Sequence, residues 1–140
     1  MLPPINTIIE NFEIVEDEHM RLEYLIELGR ALPPLPENLR TDANRIHGCE
    51  SQVWIDIAVE EADGTKRLAL QGFSDSFIVR GFVALMIALY NGKTPREAAE
   101  IDGLDLFRQL HFGGHVTSKR SNGVRSMVDR IHHDAVRLAA

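Results

Sequence analysis

A single cysteine stands in this chain of 140 residues, and its neighbours suit an exposed turn better than a core. The stretch reads Ile46-His47-Gly48-Cys49-Glu50-Ser51-Gln52-Val53-Trp54. One cysteine excludes an internal disulfide and the multi-thiolate cages of structural zinc or iron–sulfur clusters, which leaves one-sulfur chemistry or none. A free cysteine also serves commonly as a small buried hydrophobe. Three local features argue for the reactive role. Gly48 lets the backbone take positive φ or lets another surface come close. Glu50, Ser51 and Gln52 are polar, and Pro36 with the polar run Glu37 to Arg45 reads as a loop leading in, the usual setting for reactive groups on a rigid scaffold.

Other groups offer less. Lys119 and Arg120 fall at or near the start of the last helical stretch, where the macrodipole disfavours cations by about 0.3–1 kcal/mol. Arg120 folded back toward Cys49 would favour the thiolate; otherwise it is a solvated surface residue, and the sequence leaves both readings open. His47 stands two residues before Cys49 and would serve as a base only if the turn brought them together. His111 and His115 are four apart, but Gly113-Gly114 between them argues against a helical metal pair, and His132-His133 lie side by side on a surface helix. With no H-x-E or C-x-x-C spacing, no metal site is assigned. Phosphate-loop, nucleophile-elbow and carboxylate-dyad patterns are all missing. A cysteine hydrolase would need a histidine oriented by a third group.

The elements that must position Cys49 follow from periodicity and punctuation. Ile5, Ile8, Ile9, Phe12 and Val15 have helical spacing. Asp17 caps a second helix with a broad apolar face of Met20, Leu22, Leu25, Ile26, Leu28 and Leu32, stopped by Pro33-Pro34; the following Leu35-Pro36 completes a stiff connector. From Val53 the residues alternate, with Val53, Ile55, Ile57 and Val59 on one face. Asp63-Gly64 signals a hairpin, and Lys66 to Phe73 returns. Ser74, Asp75 or Ser76 caps a helix from Phe77 to Tyr90 that is apolar nearly all round except at Arg80, hence central and buried. Thr94-Pro95-Arg96-Glu97 opens a short helix to about Ile101 with cap, N1 proline and capping-box glutamate in register. Leu104 to Leu110 adds a further turn or two. After Gly113-Gly114 a last helix starts near Thr117 or Ser121, its stripe being Val124, Met127, Val128, Ile131, Ala135 and Leu138.

The chain length predicts one domain, 1–140, burying roughly 68% of its unfolded surface. Lys plus Arg number 15 against 21 Asp plus Glu, a net charge of −6, which lacks the footprint of a nucleic-acid binder. The opening Met1-Leu2-Pro3-Pro4 shows no secretory signal. The longest apolar run, Gly81 to Tyr90, falls short of the roughly 20 residues that span a bilayer. A cytoplasmic location, with a reduced thiol and no membrane contact, is expected.

Taken together, Leu32-Pro33-Pro34-Leu35-Pro36, Arg40, Asn44, Gly48-Cys49, Ser51-Gln52-Val53-Trp54, Gly72, Ser74-Asp75, Gly81 and Ser118 to Gly123 resemble the SufE family, sulfur acceptors of cysteine desulfurases. The likeness runs from about Ile5 to the C-terminus. His47 departs from it where an uncharged polar residue is common, and Phe73 where an acidic residue is frequent. The resemblance implies an α+β fold of the SufE/NifU-like type, a small antiparallel β-sheet packed against several helices, with the reactive Cys49 on a loop at the end of the sheet. It implies a sulfur-transfer accessory protein more than an enzyme. Cys49 would take persulfide sulfur from a SufS-type desulfurase, stimulate its turnover and pass the sulfur to a scaffold of the SufBCD type. By the same resemblance Arg120 would support the sulfur, and Gly48, Glu50, Ser51, Gln52 and Asp75 would meet the partner. No cofactor would be bound here, the pyridoxal phosphate belonging to the desulfurase, and the protein would be a monomer or homodimer. The alternatives are a non-covalent allosteric activator of a desulfurase, and, further off, a cysteine hydrolase or zinc protein.

Overall fold

The computed structural model describes residues 2–48, 51–112 and 122–140. Among these, the architecture is α+β: a two-stranded antiparallel sheet and six helices. In chain order these are α1 (Ile5–Ile14), α2 (Glu18–Arg30), a 3-10 turn (Glu37–Leu39), β1 (Val53–Ala62), β2 (Thr65–Ser74), α3 (Phe77–Tyr90), α4 (Pro95–Glu100), α5 (Gly103–Gln109) and α6 (Asn122–Ala139).

Local chemistry sets the element boundaries. The Asp17 carboxylate accepts the His19 and Met20 N–H groups at the start of α2, and Ser76 Oγ accepts from Val79 N–H at the start of α3. Thr94 and Glu97 exchange both bonds of a capping box around Pro95, so α4 starts where the sequence predicts. Asp63 and Gly64 both take positive φ, at 53° and 76°, the mirror-image turn whose twist matches a tight hairpin. β1 and β2 then pair without slippage from Val53 opposite Ser74 to Ala62 opposite Thr65.

Helix α3 is the centre of the core, with Phe82 to Ile87 and Tyr90 all buried. Helix α2 crosses it at two glycines. A Cβ on Gly81 would lie 2.5 Å from the Leu25 carbonyl oxygen, and one on Gly29 would lie 2.8 Å from the Gly81 nitrogen. This close approach decides which residues of α2 are covered. Leu25, Leu28 and Gly29 are buried, whereas Met20 and Leu22 are 56% and 36% exposed, so the broad apolar face expected for this helix narrows to the stripe beside the crossing. The hairpin behaves similarly: Val53 and Ile55 are buried, but Val59 lies in the half that extends beyond the helices and is exposed.

Part of each edge of the sheet is covered, which leaves fewer unpaired backbone groups. Along β2, Leu68 N–H donates to Lys93 O (2.8 Å), Gly92 N–H to Leu68 O (2.9 Å) and Leu70 N–H to Asn91 Oδ1 (2.9 Å). Along β1, the segment before the cysteine pairs with the strand's first residues. On the far side, Arg21 donates to the carbonyls of Phe12, Val15 and Leu110 and stacks on Phe12 and Phe112, tying α1, α2 and the end of α5 together.

Tyr90 is fully buried, and among the described residues its hydroxyl has no aligned hydrogen-bond partner. Burial, reinforced by the charge of Asp102, pushes its pKa from 10.0 up to about 12, the Gly103 amide opposing only weakly. The folded state therefore holds the phenolic proton more tightly than the unfolded chain. Its contribution is complete below pH 10 and is lost as pH rises through 12. At about 1.4 kcal/mol per pKa unit, this is on the order of 2–3 kcal/mol. Tyr90→Phe is expected to leave neutral-pH stability within about 1 kcal/mol of wild type, because no well-made bond is lost, and to flatten the alkaline fall in a denaturant titration. Equal alkaline sensitivity of both proteins would contradict this.

Candidate functional site

The site is built from the two stems that enter and leave the cysteine segment. Ile46 N–H donates to Val53 O (2.8 Å), Ile55 N–H donates to Asn44 O (2.9 Å), and Arg45 bridges Trp54 in antiparallel fashion. Residues 44–46 thus form a short third rung beside β1, and the polar run predicted as a loop ends in paired backbone. Gly48 has φ of 88°, a left-handed conformation that glycine adopts without strain. His47 and Gly48 are exposed and Ser51 is half-buried. Cys49 and Glu50 lie outside the described residues, as do Lys119 and Arg120, His115, Gly113-Gly114 and the predicted helix start at Thr117 or Ser121.

On the leaving side, Gln52 and Asp75 hold each other: Gln52 N–H donates to the Asp75 carboxylate (3.0 Å), and Asp75 N–H donates to Gln52 O (3.3 Å). Asp75, expected to face a partner, is exposed and also closes this stem. Next to it, buried Ser74 accepts the Ser76 N–H on its hydroxyl, and its carbonyl accepts Arg80 Nε–H (2.9 Å). The start of α3 and the end of the cysteine segment are one hydrogen-bonded unit.

On the entering side Asn44 is the hub. Its Nδ2 donates to Leu39 O (2.9 Å) and to Asp56 Oδ1 (3.2 Å), and its Oδ1 accepts from Arg130 Nη2 (3.4 Å). Arg130 also donates to Ala43 O (2.8 Å) and pairs with Asp134 four residues on (3.1 Å). The last helix thereby grips the approach to Cys49, and an open cleft of about 380 Å³ between them is lined by Asp42, Ala43, Arg45, Ile46, His47, Ser126 and Arg130. Asn44 enters the sequence reading only through a resemblance, and Arg130 not at all. The one local hint for Arg130 is its i,i+4 spacing to Asp134. The remaining histidines lie apart: His111 sits at the end of α5 with φ of 64°, while His132 and His133 are exposed on α6.

A small hairpin flanked by helices, with a pinned segment leading into β1, defines an α+β domain. Residues 6–135 match the SufE family model, the Fe-S metabolism associated domain. An uncharacterised SufE-like protein of Rhizobium etli is 42% identical over 137 residues, covering 97% of this chain and 93% of that one. A second, from Rhizobium meliloti, is 41% identical over 134 residues, covering 94% of each. The solution structure of a hypothetical protein from Thermus thermophilus shares the fold with a TM-score of 0.71 at 20% identity, covering 99% of this chain and 98% of that one. This chain belongs to the SufE family. Among the described residues, no helix is long and apolar enough to cross a membrane.

Proposed function

We propose that this protein is a sulfur carrier, with Cys49 accepting sulfur from a SufS-type, pyridoxal-phosphate-dependent cysteine desulfurase and delivering it to an iron–sulfur scaffold of the SufBCD type. The observation that carries the reading is the single cysteine of the chain, set between two pinned stems in a member of a family associated with iron–sulfur metabolism. In the transfer, the Cys49 thiolate attacks the outer sulfur of the donor's persulfide. A new S–S bond forms on Cys49, the donor's S–S bond breaks, and the donor cysteine leaves as thiolate with no net oxidation. Exchange of this kind depends on thiolate fraction and access. Arg120 would favour the thiolate, and Gly48, Glu50, Ser51, Gln52 and Asp75 would form the rim the donor meets. The reading requires no cofactor of the chain's own and a reduced thiol, as in the cytoplasm.

The test is desulfurase turnover, followed as alanine release from free cysteine. Wild type is expected to raise the rate severalfold and Cys49→Ser to leave it at the basal level. Full stimulation by Cys49→Ser would replace the carrier with a non-covalent activator.

A further inference from the structure

Three arginines and three aromatic rings alternate across the surface beside the cysteine segment. Trp54 and Phe73 are opposite each other in the hairpin register. Arg40 Cζ lies 5.8 Å from the Trp54 ring centre and 4.5 Å from that of Phe73. Arg80 lies 4.2 Å from Phe73 and 5.3 Å from Phe77, and Arg30, the last residue of α2, lies 5.8 Å from Phe77. The order Trp54, Arg40, Phe73, Arg80, Phe77, Arg30 starts one residue from the Val53 stem.

This surface is unlike the rest of the chain. Phe77 is 55% exposed in the first turn of the most buried helix, and Arg30 and Arg40 are exposed. Among the described residues no carboxylate lies within ion-pair distance of any of the three guanidiniums, and Arg30 and Arg40 donate no side-chain hydrogen bond. The chain as a whole carries −6, whereas this surface gathers three arginines that form no ion pair among the described residues. A guanidinium stacked by its face on a ring keeps its in-plane N–H edge for carboxylates, and the ring excludes water from one side. Stacking also restricts the side chain before binding, which lowers the entropy lost on association. Arginine and large aromatic residues are the types that anchor protein interfaces.

We propose that this ladder is the docking surface for an acidic stretch of the sulfur-donating protein, an inference that rests on the donor assigned above. Carboxylates on the donor meet the Arg30, Arg40 and Arg80 forks while apolar groups between them cover Phe73 and Phe77. Seated there, the donor stands beside the stem of the Cys49 segment.

The experiment compares the equilibrium affinity of the desulfurase for wild type and for Arg30→Glu/Arg40→Glu at low and high salt, with the intact mass of each mixture read at saturation. The double variant is expected to bind about tenfold or more weakly at low salt, since two exposed attractions become repulsions. Wild-type affinity should fall with salt and the variant's should respond less. The variant should still gain sulfur once saturated. Arg30→Gln/Arg40→Gln, with an intermediate affinity and an unchanged thermal midpoint, guards against misfolding. Equal affinity of variant and wild type, with sulfur gained by both, overturns the ladder and leaves the carrier reading intact. A charge-sensitive affinity without sulfur gain in wild type supports the ladder and overturns the carrier. Absence of desulfurase binding by wild type overturns both. Self-association lost in the variant, with desulfurase affinity unchanged, assigns the ladder to a second copy of the chain and overturns the proposal.

Discussion

Gly81→Val is expected to cost about 3 kcal/mol or more, because the added atoms have nowhere to go at the α2–α3 crossing. A Cβ alone would meet the Leu25 carbonyl at 2.5 Å and Leu25 Cγ at 2.6 Å. The first of these is backbone, so relief requires moving a helix rather than rotating a side chain. A Cβ on Gly29 of the facing helix would lie 2.8 Å from Gly81 N and 2.9 Å from Arg80 C, so the two helices cannot separate at one site without disturbing the other. Removing a glycine from a helix interior gains at most about 1 kcal/mol of propensity, less for a β-branched residue, and does not offset the clash. In thermal unfolding the midpoint should fall by roughly 10 °C for a chain of this size. An unchanged midpoint would mean that the helices are not held this close.

Asn44→Ala should slow sulfur acceptance far more than it destabilises the fold. The side chain supplies two donated bonds and one accepted bond to Leu39, Asp56 and Arg130, and the backbone that follows it leads to Gly48. Losing them leaves partners unsatisfied at about 1 kcal/mol each and loosens the entering stem, which keeps only the Arg130–Ala43 bond of its two to Arg130. Transfer between two sulfurs requires near-contact alignment, so a displacement of about 1 Å can slow it on the order of a hundredfold. Single-turnover transfer to Cys49 is expected to slow at least about tenfold while the protein stays folded at working temperature. A variant that transfers at the wild-type rate would show that Asn44 serves stability alone.

Most of the architecture could be read from the chain because its signals are local. Thr94-Pro95-Arg96-Glu97 announces α4 by itself, Asp63-Gly64 announces the hairpin, and the period of Val124, Met127, Val128, Ile131 and Ala135 gives the buried face of α6. The limits of each buried face could not be read, since they are set by a neighbour. Met20 and Leu22 are as apolar as Leu25, and their exposure follows from where Gly29 meets Gly81. The cysteine segment stands out in the sequence, whereas the supports of its stems do not. Gly48 with its positive φ is visible as a residue type. The grip of Arg130 on Ala43 spans 87 positions and has no local signature. The arginine–aromatic ladder joins residues from four elements and the segment after the 3-10 turn, and in the sequence Phe73 shows only as the end of a strand and a departure from a family pattern.

The central claim is that sulfur resides on Cys49. The most direct measurement is the intact mass of the protein after incubation with a cysteine desulfurase and free cysteine, beside Cys49→Ser. A gain of one sulfur atom, removed by reductant and absent from the variant, is the expected result. No gain in wild type, with desulfurase turnover still stimulated, would contradict it.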